Sequence, residues 1–186
     1  MYAMLPLNFT PFPELKTERL LLRQLKETDA NAIFLIRSNE AVNKYIDRPK
    51  TSTIEEASLF IQKINDGFQQ HNLLYWAICL KPSNTLIGTI CLWNIETENQ
   101  VAEIGYELNP AFWKSAFMQE AITKIIDFCF SKMNLSLIKA VTRKDNVDSI
   151  RLLQKNNFIY NEVQLPYQPE LKDYLLFYLA NTAQTK

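Results

Sequence analysis

Glycine is scarce. Gly67, Gly88 and Gly105 are the only three in 186 residues, where ordinary usage of about 7% predicts roughly a dozen. Any loop that needs a left-handed backbone must therefore build it largely from other residues. Histidine occurs once, as His71. It precedes a strand-like run with no cysteine or carboxylate at ligand spacing, so it reads as an ordinary loop residue and no metal site is implied. The three cysteines, Cys79, Cys91 and Cys129, are odd in number and each lies in an apolar run. They read as buried thiols of a reducing, cytoplasmic setting. Net charge is absent too, because 20 basic and 20 acidic side chains cancel. No basic run or basic-aromatic stripe gives a nucleic-acid footprint. No stretch reaches the roughly 18 to 20 apolar residues needed to span a bilayer.

What is present suits one globular domain: 47% hydrophobic and 22% charged residues in a chain long enough for a sizeable core. The start, "MYAMLPLNFTPFPELK", is broken by Pro6, Pro11 and Pro13. It lacks the charged start of a signal peptide, and residues 1–16 are expected to lie as an extended arm on a single domain over 17–180, with 181–186 as a tail.

Periodicity supplies the elements. "RLLLRQL" (19–25) reads as a strand. "ETDANAIFLIRS" reads as a helix capped by Thr28 or Asp29, with Ala32, Ile33 and Ile36 on one face. "TSTIEEASLFIQKINDGFQQ" is a clearer helix, with Thr53 and Glu56 as a capping box and Ala57, Phe60, Ile61, Ile64 and Phe68 as its apolar stripe. Three strands at 74–80, 86–95 and 102–108, separated by turn-rich "KPSN" and "ETENQ", predict an antiparallel meander. A helix over 115–132 places Met118, Ile122, Ile125 and Cys129 inward. Then come strand "LIKAVT", helix "DNVDSIRLLQKNN" capped by Asp145 or Asn146 and ended by a left-handed Asn157, and strands "FIYNEV" and "DYLLFYL". A meander followed by β-α-β predicts an α+β fold: a mixed, mostly antiparallel sheet of about seven strands with helices on both faces.

That order, together with "LKTERLLLRQL", "NKYIDRPKTSTIEEASLFI", "LIGTICLWNIETENQVAEIGYELNPAFW", "QEA" and "NVDSIRLLQKNNF", resembles the GCN5-related N-acetyltransferase superfamily, and most closely its ribosomal-protein N-terminal acetyltransferase branch. The matching stretches span about residues 15 to 180. The resemblance implies an enzyme that moves an acetyl group from acetyl-coenzyme A to a primary amine, on a protein N-terminus or a small molecule, by direct transfer. It implies that the fourth and fifth strands of the sheet, 102–108 and 137–142, splay apart. The pantetheine arm would then bond to the backbone of Ile104, Gly105, Tyr106 and Leu108 like an added strand, with Gly105 suited to a bulge. The pyrophosphate would meet Trp113, Lys114, Ser115, Ala116, Phe117 and Met118 at a helix N-terminus.

In relatives that loop carries two glycines, at the positions held here by Lys114 and Ala116. A helical Ala116 would still donate its amide, and the turn at Lys114 would be re-formed with negative φ or held at a strain of on the order of 1 kcal/mol. The alternative is an inactive binding or regulatory domain on the same fold, with a degenerate loop.

For the chemistry, Glu103 and Glu107 flank the candidate strand as possible bases, beside the reading of both as solvated strand carboxylates. The tyrosine that many superfamily members place on the late helix falls here at Leu153. Ser149 matches the serine of the ribosomal-protein branch, beside the reading of a first-turn serine. Asn146 would both cap its helix and touch the pantetheine. Tyr45, Trp76, Trp93 and Trp113 are candidates for an acceptor groove or for core. Either monomer or homodimer fits the composition.

Overall fold

The computed structural model describes residues 9–160 and 172–182. Its elements run β1 (Leu15–Lys16), β2 (Leu20–Gln24), α1 (Ala30–Arg37), α2 (Glu40–Asn43), α3 (Ile54–Gln69), β3 (Leu74–Leu80), β4 (Thr85–Glu96), β5 (Val101–Leu108), α4 (Phe117–Ser131), β6 (Leu137–Arg143), α5 (Val147–Lys155), β7 (Ile159–Tyr160) and β8 (Tyr174–Ala180). They form one eight-stranded sheet in the order β1-β2-β3-β4-β5-β6-β8-β7. The expected α+β architecture is present, with one strand more than expected because Leu15–Lys16 pairs with β2. The expected strands at 158–163 and 173–179 are β7 and β8; residues 161–163 lie outside the described residues, as do 1–8 of the expected arm.

Every neighbouring pair of strands is antiparallel except β5 and β6. That parallel ladder is short: Val101 faces Leu137, Ala102 faces Ile138, and Glu103 faces Lys139. Beyond Glu103, β5 stays paired to β4 as far as Leu108, while β6 stays paired to β8 as far as Arg143. The two strands therefore separate, and one edge of residues 104–108 has no strand partner. Gly105 sits in regular register opposite Cys91, with no bulge. The irregularity lies instead between Trp93 and Glu96 of β4. A Cβ at Gly105 would lie 3.1 Å from Cys91 Sγ, so close side-chain packing accounts for this glycine.

Two cores cover the two faces. On one, α4 and α5 lay Met118, Ile122, Ile125, Cys129 and Leu153 against Leu20, Trp76, Ile90, Ile104 and Ile138 of the sheet. On the other, α1 and α3 bring Ile33, Ile36, Ala57 and Ile61 onto Ala77, Cys79 and Leu86. Trp76 is thus a core residue, its indole N–H donating to Pro13 O at 2.8 Å, and not a groove residue. Phe12 packs edge-on against both Trp76 and Phe68.

Caps differ in detail from expectation. Thr53 Oγ1 accepts the Glu56 amide, but the Glu56 carboxylate takes Ser52 N–H rather than completing a box with Thr53. Asp29 occupies the α1 cap position without capping. Its carboxylate instead forms a two-pronged pair with buried Arg23, at 2.8 Å on each prong, and receives the Lys26 amide. Asn157 does end α5, at φ 63°, and Asn146 Oδ1 caps its start through Ser149 N.

Gly88 matters for the candidate strand, because an added Cβ would stand 2.6 Å from the Glu107 carbonyl oxygen and 2.8 Å from the Leu108 side chain. Backbone cannot yield as a flexible side chain does. Gly88→Ala is expected to destabilise the protein by about 1–3 kcal/mol, read as a lower urea midpoint with an unchanged slope.

Candidate active site

The split between β5 and β6 opens toward the N-terminus of α4, which Asn109 and Pro110–Phe112 connect to β5 in a short turn. The Trp113 indole N–H donates to Leu108 O at 2.8 Å, pinning the loop to the strand end. The loop keeps the backbone its missing glycines would have given it. Lys114 has φ 60°, and Ala116, at the cap position of α4, has φ 60° and ψ 12°. Of the two alternatives for Lys114, the strained left-handed turn is the one present; Ala116 is not helical, so α4 begins at Phe117 rather than Ser115.

Left-handed residues stand on either side of Ser115, and backbone of this kind is what anion-binding nests are built from. No side chain caps α4. Among the described residues, the amides of Lys114, Ser115, Ala116, Phe117 and Met118 have no acceptor within the protein. The first amides of a helix carry its positive dipole end. The chemistry of this donor set fits a diphosphate.

Sequence reading missed what holds the nest in place. Glu120, inside the "QEA" stretch, accepts the Arg19 amide at 2.9 Å and the Arg19 Nε–H at 2.6 Å, and also the Thr17 hydroxyl. Arg19 in turn donates to Ser115 O at 3.1 Å and lies 4.3 Å over the Phe117 ring. Burial pushes the Glu120 pKa up, but the hydrogen bonds from Thr17 and Arg19 and the Arg19 charge outweigh it, and the net shift is downward. The signal was a Thr-x-Arg ahead of a strand and a Glu in the first turn of a helix, which only the fold brings together.

The two candidate carboxylates share the α1/α3 face of β5, as strand alternation requires, but meet different surroundings. Glu107 is buried. Arg48 Nη2 donates to it at 2.6 Å, Thr89 Oγ1 at 3.2 Å and the Tyr75 hydroxyl at 3.4 Å, with Arg37 Nη1 3.9 Å away. Both its oxygens are engaged in tying α1 and the loop before α3 to the sheet. Glu103 stands at the last rung of the parallel ladder and lines an open cavity of about 780 Å³ with Gln70, His71, Asn94, Glu96 and Lys139. Burial raises its pKa above the ordinary glutamate value, against smaller lowering effects from the Asn94 and Trp93 side chains and the Lys139 charge. Asn94 donates to it at 3.1 Å from a left-handed backbone, φ 45°.

On the opposite face Tyr106 reaches from β5 to α5, where its hydroxyl lies 2.9 Å from Ser149 Oγ. Leu153 is buried in the core. Trp93 and Trp113 are partly exposed, and Tyr45 stacks with Lys44.

Residues 19–159 match the acetyltransferase (GNAT) domain family. The chain belongs to that family. It is 40% identical over 147 residues to the uncharacterized N-acetyltransferase YoaA of Bacillus subtilis (strain 168), covering 79% of this chain and 83% of that one. Among solved structures, a GNAT-family acetyltransferase from Bacillus anthracis is 26% identical with a TM-score of 0.76, covering 90% of this chain and 98% of the other. RimL, a ribosomal L7/L12 alpha-N-protein acetyltransferase solved in complex with coenzyme A, shares the fold at 20% identity and a TM-score of 0.78, over 90% and 98% of the two chains. This GNAT domain is an acyltransferase enzyme, and its sheet is open between β5 and β6 beyond Glu103.

Two outcomes test this geometry. Ala116→Gly relieves a left-handed alanine and is expected to stabilise the fold by on the order of 1 kcal/mol, a rise in Tm of about 2–4 °C by calorimetry. Glu120 has a depressed pKa, so its contribution is present above the unfolded-state value and is lost as pH falls through the folded-state value. Acid titration of stability is expected to be shallower in Glu120→Gln than in the wild type below the ordinary carboxylate range.

Proposed function

We propose that this GNAT domain binds acetyl-coenzyme A in the β5–β6 split and catalyses direct transfer of its acetyl group to a primary amine, on a protein N-terminus or a small molecule. One observation carries the reading: Lys114 and Ala116 hold left-handed backbone that neither residue favours, leaving a run of unpaired amides at the mouth of the split. Strain of this kind persists where the surroundings enforce it and it serves a site. A domain with no use for the cosubstrate would gain stability by relaxing the loop, so the inactive alternative has less support.

In this reading the amides of Lys114 to Met118 receive the pyrophosphate, with the Lys114 ammonium adding charge. The free edge of Ile104, Gly105, Tyr106 and Leu108 receives the pantetheine arm as an added strand. Asn146 contributes its side-chain NH₂, since only its Oδ1 is used in capping. Acetyl-coenzyme A supplies an activated acyl group; the rest of the chemistry is the protein's.

Glu103 is the general base. Its cavity lies on the sheet face away from α4, so the acceptor amine approaches there while the cosubstrate lies along α4 and α5. Its raised pKa makes it a better proton acceptor once ionised, and Asn94 holds the carboxylate in place. Glu107, committed to two arginines, positions β5 in this reading. Backbone amides near Tyr106 stabilise the negative charge developing on the acyl oxygen.

Calorimetric titration with acetyl-coenzyme A is expected to give saturable binding, and an amine panel followed by thiol release is expected to give turnover. Absence of heat at millimolar ligand overturns the proposal. Glu103→Gln is expected to lower kcat/KM by about 10²–10⁴-fold and to remove an acid limb that sits above the ordinary glutamate pKa. The Lys114→Gly, Ala116→Gly double variant is expected to change affinity by less than about tenfold, whereas a degraded site would gain more.

A further inference from the structure

On the α1/α3 face of β5, Glu107 is a single carboxylate shared by two guanidiniums. Arg48 gives Nη2–H to one of its oxygens at 2.6 Å and Nε–H to Asn43 Oδ1 at 3.0 Å. Its Nη1 has no acceptor among the described residues. Arg37 gives Nε–H to Thr51 Oγ1 at 3.3 Å and stacks 3.8 Å over the Phe60 ring. The forked end of Arg37 is poorly served: Nη1 stands 3.9 Å from Glu107, outside hydrogen-bond reach, and beyond that it has the Tyr75 hydroxyl.

Two cations against one anion leave a surplus positive charge in a half-buried place. Among the described residues no second carboxylate lies within ion-pair distance of either arginine. Burial, and after it the Arg48 charge, pulls the Arg37 pKa below the usual arginine value, against Glu107 and Tyr75. A cation so placed gains from a second anion. One can reach it, because the two side chains are 14% and 16% exposed. No buried side-chain nitrogen among the described residues lacks a partner, so the spare Arg48 nitrogen faces solvent.

This place is the acceptor side of the split. Glu107 lies on the stretch of β5 that β6 has left, on the same face as Glu103. Lys44 and Asp145, which follows β6, feel each other's charge. The segment from Lys44 to Arg48 thus runs from the β6 side of the gap to β5. With Glu103 as base and the acyl oxygen near Tyr106, the reacting amine stands two to four strand residues from Glu107, about 7–13 Å. That spacing excludes an α-amino acid, whose carboxylate sits one carbon from its nitrogen. It suits a peptide N-terminus with an acidic side chain at its second or third residue, or a small chain with an amine at one end and a carboxylate at the other.

We propose that Arg37 and Arg48 form a carboxylate subsite for the acceptor, a primary amine that carries a carboxylate about 7–13 Å from its nitrogen. This rests on the reading of the split as the acetyl-transfer site. The two guanidiniums offer their spare N–H groups to the carboxylate, and Glu107 holds them together against mutual repulsion. Nothing is transferred at the subsite. It selects which amine is delivered to Glu103 and fixes how that amine is oriented.

The test is acceptor binding without chemistry. The full-length protein is saturated with free coenzyme A, occupancy is verified by calorimetry, and amidated hexapeptides of serine and alanine with a free N-terminus are titrated in. Glutamate at the second or third position is expected to bind about tenfold more tightly than glutamine there. At the sixth position the gain is expected to be less than about twofold. Arg37→Gln is expected to reduce the tenfold preference to about twofold, and Arg37→Lys, which keeps the charge, to about threefold, each with coenzyme A affinity unchanged. The pair 6-aminohexanoate and 1-aminohexane separates the sources. A carboxylate preference confined to that pair assigns the subsite to small amino acids, and one confined to the peptides assigns it to protein N-termini. No preference for the carboxylate in either series overturns the proposal. So does an equal gain from glutamate at the sixth position, which is diffuse attraction, or a full preference surviving in Arg37→Gln. Each of these leaves the cosubstrate reading intact, whereas failure of the wild type to bind coenzyme A overturns both. If Arg37→Gln does not fold, an undiminished preference in Arg37→Lys overturns the subsite and a reduced one supports it.

Discussion

The parallel ladder between β5 and β6 ends after three residue pairs, and everything of functional interest is arranged around that ending. A sheet whose strands stay paired has no free edge in its interior and no gap through it. Here β5 is held on its other side by β4 as far as Leu108, and β6 by β8 as far as Arg143, so the two can part without either losing its partner. The consequence is an unpaired backbone edge, which in an open sheet would be a liability. In the proposed reading, the pantetheine arm takes the role of the missing strand.

The loop at the mouth of the split shows how backbone geometry outlasts the residues usually associated with it. Lys114 and Ala116 hold φ near 60° because the surroundings over-determine the loop. Trp113 is pinned to Leu108, Ser115 is held by Arg19, and Arg19 is fixed by Glu120. With both flanks anchored, the chain between them has few alternatives, and a strain on the order of 1 kcal/mol per residue is small beside the anchors that enforce it. Elsewhere among the described residues the chain meets the same demand mostly with asparagine, at Asn84, Asn94, Asn134 and Asn157, and also with His71 and Gln100. Asparagine tolerates left-handed backbone best after glycine.

Much of the fold was legible in the sequence because periodicity reports burial directly. The stripes of α3 and α4 and the three meander strands are where alternation and helical spacing placed them. The short strand Leu15–Lys16 was not, since two residues carry no period, and its pairing depends on the fold around it. At the candidate site, Glu103 and Ser149 were named from the sequence. Their distinct surroundings, and the commitment of Glu107 to Arg37 and Arg48, depend on contacts between residues far apart in the chain, from α1 and the loop before α3 across to β5. The glycine-free loop could be located but its conformation could not be read, because propensity argues against what tertiary anchoring imposes. Gly105 suggested a bulge for a related reason: a strand glycine has several uses, and only the neighbour across the sheet, Cys91, tells which one applies.

The two hydrophobic clusters lie on opposite faces of the sheet. Helices α4 and α5 belong to one and α1 to the other, while α3 lays Ala57 and Ile61 on the second and sends Phe68 into the first. Divergence in the α1 layer can thus proceed with little disturbance of the layer behind it, and Phe68 is where α3 ties the two together.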